Sequence, residues 1–331
     1  MKNSYIKDIA FYVPEKVLTN DDLASIMDTS DEWIKTRTGI HQRHTTGDSN
    51  LGPADLAVHA ANKVLDKSNV NKSDIDFVVF ATSTPDYFVP GSGSLFQEKM
   101  GLDNVGVLDI RQGCSGFTYA LSVADKFIKT ETYNNILVIG SEVQTTQLDF
   151  DDEGRGTAVL FGDGAAACLL TSTTENKGIL SAHLHSDGRY IDDLGTLYPS
   201  SKYKDIITTK NVESRQHHIH MNGREVFKHA VRRFPEVILE GLEFNNLTLD
   251  DVNIVIPHQA NYRITQAVQR QLKIDEDKIF SNIHKYGNTT AASIGIALSE
   301  ALDEDRIKDG DIVVLASFGA GFQWGSVIIK W

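Results

Sequence analysis

Two stretches, Asp74-Ile-Asp-Phe-Val-Val-Phe80 and Asp250-Asp-Val-Asn-Ile-Val-Ile256, decide how this chain folds, because the second echoes the first. Each is an acidic start followed by a short apolar run, the pattern of a strand buried on both faces. Each half next turns sharply into a helix of small residues. The turns run from Asp109 into Cys114-Ser-Gly-Phe117, and from Asn282 into Asn288-Thr-Thr-Ala-Ala-Ser293. Another strand follows in each, Ile136–Gly140 and Ile312–Ala316, and each half closes on Phe161-Gly-Asp-Gly164 or Phe318-Gly-Ala-Gly321. Four echoes in the same order predict a duplicated α/β unit meeting at a pseudo-two-fold, with Asn288 in the place that Cys114 holds in the first half. A Ser/Thr/Asn-rich stretch, Ser172–Lys177, sets the expected boundary between halves 1–174 and 175–331.

Val105–Asp109 and Ala165–Leu170 also read as buried strands, and residues 55–64 and 115–128 repeat apolar residues at helical spacing. Strands alternating with helices predict a largely parallel sheet. Residues 186–222 break the pattern and read as a polar surface excursion. Its Gln216-His-His-Ile-His220 has no Cys or carboxylate at ligand spacing, so no metal site is expected.

Composition narrows the function. The 331 residues carry 32 Lys and Arg against 45 Asp and Glu, a net charge of −13. That sign argues against nucleic-acid or anionic-membrane binding, which need basic surface. No apolar run approaches the roughly 18 residues of a membrane span, and Met1–Ala10 lacks the apolar run of a signal peptide. Two cysteines make no disulfide framework. A cytoplasmic protein is expected.

Three residues can carry chemistry. Cys114 lies where an apolar strand meets a helix, and the N–H groups and dipole of a helix start favour the thiolate. Cysteine is also a common core residue, as Cys168 within Ala165-Ala-Ala-Cys-Leu-Leu170 is read to be. His258, in Ile256-Pro-His-Gln-Ala-Asn-Tyr-Arg-Ile264, follows a strand end of the kind that opens onto a crevice, although a hydrogen-bonded core histidine would look the same. Asn288 alone is a helix cap; by the repeat it faces Cys114. A thiolate takes an acyl group from a thioester, and a neutral His and an Asn amide both donate to one developing oxyanion. The enolate left when a malonyl thioester loses CO2 suits that pair, whereas a hydrolase needs a base on the nucleophile and a route for water.

Cys114-Ser-Gly-Phe117, the His258 stretch and Tyr286-Gly-Asn-Thr-Thr-Ala-Ala-Ser293 resemble the β-ketoacyl-acyl-carrier-protein synthase III family of thiolase-fold condensing enzymes. Thr36-Arg-Thr-Gly-Ile40, Arg155-Gly-Thr157 and Gly321-Phe-Gln-Trp-Gly325 fit as well, in family order from residue 31 to the C-terminus. The resemblance implies a thiolase fold, a five-layered αβαβα homodimer, with no metal or redox cofactor and coenzyme A thioesters as substrates. It implies Cys114 as acyl acceptor, His258 and Asn288 for decarboxylation and condensation, and the backbone N–H groups of Cys114 and Ala320 as an oxyanion hole. Trp33, Arg37 and Arg155 match positions holding the adenine and phosphates of coenzyme A. Thr29, Gly156, Gly223, Phe227, Ala260 and Asn261 match the pantetheine channel. Gln259, Ala260, Asn261, Tyr262 and Arg263 correspond to the carrier-protein contact segment.

Charge gives separate support for carrier docking. Arg224, Lys228 and Arg232 form a basic stripe at helical spacing, joined by Arg263 and Arg270, on an acidic chain. A solvated helix face is the plain alternative. Two departures from the family matter. Asp109-Ile-Arg-Gln-Gly-Cys114 replaces the small residues usual before the nucleophile, resembling condensing enzymes of specialised pathways. Arg111 either pairs with Asp109 or alters the pocket. Val89, in Phe88-Val-Pro90, stands where relatives have a Phe that closes the acyl pocket from the neighbouring subunit, so a longer or bulkier primer than acetyl is expected. The leading expectation is condensation of an acyl-CoA primer with malonyl-ACP to begin fatty acid synthesis. A specialised enzyme using an unusual primer or malonyl-CoA, a thioester hydrolase and a non-catalytic partner subunit are the alternatives, the last opposed by the intact Cys, His and Asn.

Overall fold

In the strand Phe77–Ala81, Val78 and Phe80 belong to one buried cluster and Val79 and Ala81 to another. A strand apolar on both faces needs a covering layer on each side. The computed structural model, which describes residues 2–331, supplies both. In chain order the frame consists of β1 (Asn3–Tyr12), α1 (Asp31–Thr38), α2 (Pro53–Ser68), β2 (Phe77–Ala81), α3 (Ser92–Met100), β3 (Gly106–Ile110), α4 (Gly116–Lys129), β4 (Asn135–Glu142), β5 (Gly164–Thr173), β6 (Gly178–Ser186), α5 (Gly223–Phe244), β7 (Ile254–Pro257), α6 (Tyr262–Leu272), α7 (Ser293–Asp303), β8 (Ile312–Gly319) and β9 (Gln323–Lys330).

One sheet has the order β1-β5-β4-β2-β3 and the other β7-β8-β9-β6. In each, a parallel pair (β2 with β4, β7 with β8) is followed by two antiparallel steps (β4-β5-β1, β8-β9-β6). The second sheet thus repeats the first, except that β3 has shrunk to a single bridge between Val255 and Ile279. Both sheets are mixed, not largely parallel as expected, because β1, β5, β6 and β9 run against their neighbours. Nor is β3 buried on both faces: it is an edge strand with Leu108 exposed, having one neighbour among the described residues.

The apolar faces fix five layers. Helices α2 and α3 cover the outer face of the first sheet through Leu56, Ala60, Phe96 and Met100. Helices α5 and α6 cover the outer face of the second through Phe234, Ile238, Ile264 and Val268. Between the sheets lie α4 and α7, whose Phe117, Leu121, Ile294 and Leu298 share one cluster with Val79 and Val138 on one side and Ile256 and Leu315 on the other. Each buried Leu, Ile or Phe contributes about 1.5–3 kcal/mol, so this middle layer is the main tie between the sheets. It also brings the starts of α4 and α7 together at one end of the molecule.

Candidate active site

The turn Gly113–Ser115 leads into α4, and Thr290–Ala292 leads into α7. Gly113 has φ +49°, and Thr290 has φ +50° in the same place. The left-handed region suits glycine and is uncommon for a β-branched residue, so the Thr290 turn is held by its surroundings. The Thr290 N–H donates to Asn288 Oδ1 at 2.9 Å and its hydroxyl to Gln144 Oε1 at 3.3 Å. This alignment corrects the expected repeat. Ala291 is the counterpart of Cys114, and Asn288 takes the place of Arg111: Phe77 to Gly113 and Ile254 to Thr290 are the same 36 residues, so the expected pairing was three residues out of step with loops of equal length. Asn288 still lines the same cavity as Cys114, with its oxygen engaged and its amide nitrogen left to donate.

Cys114 is buried, and burial pushes its thiol up to about 12, with the nearby Glu142 charge adding to the rise. The backbone N–H groups of Cys114 and Ala320 pull the other way. The expected lowering by the helix start is therefore overturned, since desolvation of a charge outweighs a partial dipole. Gly319 presses on the nucleophile: a Cβ there would lie 2.7 Å from the Cys114 Cβ and 3.2 Å from its Sγ. His258 extends from the end of β7. Its Nδ1 lies 2.5 Å from the Ser293 hydroxyl, which also accepts the Gln259 N–H at 3.3 Å. Its Nε2 is buried on the cavity wall with no partner among the described residues. Burial holds this imidazole down at about 3, so it is neutral through the physiological range.

Cys114, His258, Asn288 and Ala320 share a cavity of about 810 Å³. The excursion does more than meet solvent: Ile191, Leu194, Leu197, Ile207 and His217 form part of the wall. Its polar composition concealed a few apolar side chains, Ile191, Leu194 and Leu197 three apart and Ile207 alone, too few to mark an element. Ser83, Pro85, Tyr87 and Phe88 form another part of the wall. Val89 does not line the cavity of its own chain and is 79% exposed. Arg111 lines it, with no carboxylate in ion-pair range among the described residues. Asp109 instead accepts the Gly93 N–H at 2.9 Å, so the two are not a structural pair.

Of the coenzyme A positions, Gly223, Phe227, Ala260 and Asn261 line the cavity, whereas Thr29, Trp33, Arg37, Arg155 and Gly156 lie off it. Three of that second group cluster. Arg37 and Arg155 stack on the Trp33 ring at 4.7 and 5.2 Å, and Arg155 donates to the backbone oxygen of Asp28, which precedes Thr29. Of the carrier-protein positions, Arg263 and Arg270 are exposed, and Ala260, Asn261 and Tyr262 are half-buried. Gln259 is buried and cannot form a surface contact. Its amide nitrogen donates to the Pro257 carbonyl at 2.6 Å, and its oxygen accepts from Ser281 and the Asn282 N–H. Arg224, Lys228 and Arg232 are exposed on α5, yet Lys228 pairs with Glu225 and Arg232 with Glu236. Glu236 lies just beyond the basic stretch, after Pro235, through which the helix continues.

Sequence reasoning missed Glu142 and Ser293. Glu142 ends β4 in Gly140-Ser-Glu142 and is fully buried, pushed up to about 7 by burial. A carboxylate at the carboxyl end of a buried strand was the available signal. Among the described residues no three His, Cys, Asp or Glu side chains are grouped to hold a metal ion, and no helix is long and apolar enough to cross a membrane.

Residues 108–188 match the family described as 3-oxoacyl-[acyl-carrier-protein (ACP)] synthase III, and residues 242–331 match its C-terminal part. The β-ketoacyl-[acyl-carrier-protein] synthase III of Clostridioides difficile is 44% identical over 326 residues, 98% of each chain. That of Caldanaerobacter subterraneus subsp. tengcongensis is 43% identical over 325 residues, 97% of this chain and 95% of the relative. The crystal structure of 3-oxoacyl-[acyl-carrier-protein] synthase III from Aquifex aeolicus superposes with a TM-score of 0.91 at 39% identity, covering 99% of this chain and 100% of that one. This chain therefore belongs to the 3-oxoacyl-[acyl-carrier-protein] synthase III family of thiolase-fold condensing enzymes.

Proposed function

We propose that the chain joins an acyl group from acyl-CoA to malonyl-ACP by decarboxylative Claisen condensation, the step that begins fatty acid synthesis. The observation that carries this reading is the meeting of Cys114, His258 and Asn288 on one cavity. In the first half-reaction Cys114 Sγ attacks the thioester carbonyl, the carbon–sulfur bond to coenzyme A breaks, and the thiol proton leaves with coenzyme A. The N–H groups of Cys114 and Ala320 donate to the developing oxyanion. In the second, the malonyl group loses CO2, and the electron pair of the broken bond forms an enolate. Its oxygen accepts from Asn288 Nδ2 and from His258 Nε2, with the imidazole proton on Nε2. The enolate carbon then attacks the acyl-cysteine, and the thiolate released takes up a proton.

The reaction uses coenzyme A thioesters as substrates and asks for no further cofactor, since the named groups supply the nucleophile and both sets of donors. Trp33, Arg37 and Arg155 suit the adenine and phosphates of coenzyme A, a flat ring and anions. Arg224, Lys228, Arg232, Arg263 and Arg270 are the basic side chains offered to an acidic carrier protein. The exposed edge of β3 suits pairing with a second copy, giving a cytoplasmic homodimer. Arg111 on the wall favours a second reading, a specialised enzyme whose primer is longer than acetyl or carries an acceptor that Arg111 can hold.

The test separates the two half-reactions. His258→Ala and Asn288→Ala are expected to acylate Cys114 from acyl-CoA within a few-fold of wild type yet to lose at least about a hundredfold in CO2 release from malonyl-ACP. Cys114→Ala is expected to release CO2 without chain extension. Free acid as the main product of the wild type would instead identify a hydrolase.

A further inference from the structure

Glu142 is a fully buried carboxylate with no Lys, Arg or His in ion-pair range among the described residues. A buried charge without a cation persists only where hydrogen bonds replace its water. Here they come from separate segments. The Ser83 N–H and hydroxyl reach both oxygens at 3.0 to 3.1 Å, and the Thr84 hydroxyl donates to Oε2 at 2.8 Å. The Ala291 N–H, in the turn after Asn288, donates to Oε1 at 3.4 Å. Thr84 is locked in turn, its hydroxyl oxygen accepting the Val143 N–H at 2.9 Å. One carboxylate thus ties the segment that continues into the Ser83–Phe88 wall, and the turn that carries Asn288, to the end of β4.

The charge of the same group also acts on the nucleophile. Apart from burial, the influences on the Cys114 thiol are the Glu142 charge and the N–H groups of Cys114 and Ala320. His258 on the same cavity is neutral. The groups facing Glu142 from the 82–84 segment and the 290–292 turn are hydroxyls and N–H groups, which do not titrate near neutrality. Cys114 is the titrating neighbour.

We propose that Glu142 is a positioning residue for acyl transfer, clamping the Ser83–Phe88 wall and the Asn288 turn together while its negative charge keeps the Cys114 thiol protonated in the empty site. The proposal rests on the reading of Cys114 as acyl acceptor. A thiolate beside an ionised carboxylate in a dry site is opposed by both charges, so the resting cysteine is guarded against stray alkylation and oxidation. Because burial holds Glu142 near neutrality, the charge grows as pH rises through that range.

The test is the rate of Cys114 alkylation by iodoacetamide in the whole protein, beside KM for an acyl-CoA. Glu142→Gln removes the charge and is expected to alkylate about tenfold faster at pH 8, one unit of thiol pKa. Glu142→Asp keeps the charge while shortening the clamp, and is expected to alkylate like wild type. Both are expected to raise KM about tenfold. No acceleration in Glu142→Gln, or equal acceleration in Glu142→Asp, overturns the electrostatic role; an unchanged KM in both overturns the clamp. Should Glu142→Gln not fold, the wild type still decides. Its logarithmic alkylation rate is expected to climb with a slope below one across neutrality, as Glu142 ionises, and a slope of one throughout refutes the coupling. A wild type that takes no acyl group from any acyl-CoA would refute the acyl-transfer reading and leave the alkylation result standing.

Discussion

At the residue scale the site is set by what cannot be larger and what cannot be charged. Gly319→Ala would place a Cβ 2.7 Å from that of Cys114, where neither backbone yields easily. Acylation of Cys114 is expected to fall at least about a hundredfold while the thermal midpoint moves by only a few degrees. A normal acylation rate would show that the two turns can separate. The thiol gives a pH prediction whose sign follows from its raised pKa. A folded pKa pushed up to about 12 keeps the thiolate a minor species at neutrality, and its fraction grows with every step in pH below that value. Alkylation is therefore expected to rise about tenfold per unit between pH 8 and 10. A plateau beginning below pH 8 would mean an activated thiolate at rest. Cys114 and His258 were legible because each lies at the end of an apolar strand, and Asn288 because it sits in a turn that leads into a helix of small residues. Glu142 was not, since a burial of zero exposure is invisible in a polar residue ending a strand, and Gln259 was misread because its motif puts a buried amide beside half-exposed residues.

At the scale of elements, helix α5 shows how pairing within a helix redistributes charge. Lys228 is held by Glu225 at 2.9 Å and Arg232 by Glu236 at 2.8 Å, whereas Arg224 has no ion-pair partner among the described residues. Arg224→Glu is expected to lower turnover with malonyl-carrier protein about tenfold, and Lys228→Glu less, with acylation from acyl-CoA within twofold of wild type in both. Raising the salt to about 1 M is expected to erase the difference. Equal loss in both half-reactions would place the defect in the fold of the helix. The periodicity of α5 was plain in the sequence, but its continuation through Pro235 was not. Local rules stop helices at proline, and here the buried contacts of Phe234, Val237 and Ile238 carry it past.

For the whole molecule, the duplication was legible as four echoes, and the two sheets repeat one strand order. What the echoes did not carry was the pairing of Cys114 with Ala291, because Asn288 and Cys114 look alike as turn residues before a helix of small residues although they stand three residues apart in the aligned halves. Nor did they foretell the excursion, which belongs to one half alone. Leu197 and Ile207 lie on the cavity wall but are half-exposed, so they have little to lose in folding and much to contribute to a bound chain. A Leu197→Ala, Ile207→Ala double variant is expected to raise KM for acyl-CoA several-fold with kcat and thermal midpoint unchanged, the pattern of lost uniform binding. An unchanged KM would return the excursion to solvent.

Every step of the proposed reaction requires that Cys114 carry the acyl group from donor to malonyl acceptor. The most direct measurement is intact-protein mass after incubation with a panel of acyl-CoAs, short, long, branched and aromatic, for wild type and Cys114→Ala, followed by addition of malonyl-ACP. The expected result is a mass increment equal to one acyl group, absent from the variant, that disappears as a β-ketoacyl thioester forms on the carrier. An increment that survives in Cys114→Ala, or an acyl-enzyme that yields only free acid when malonyl-ACP is added, would contradict it.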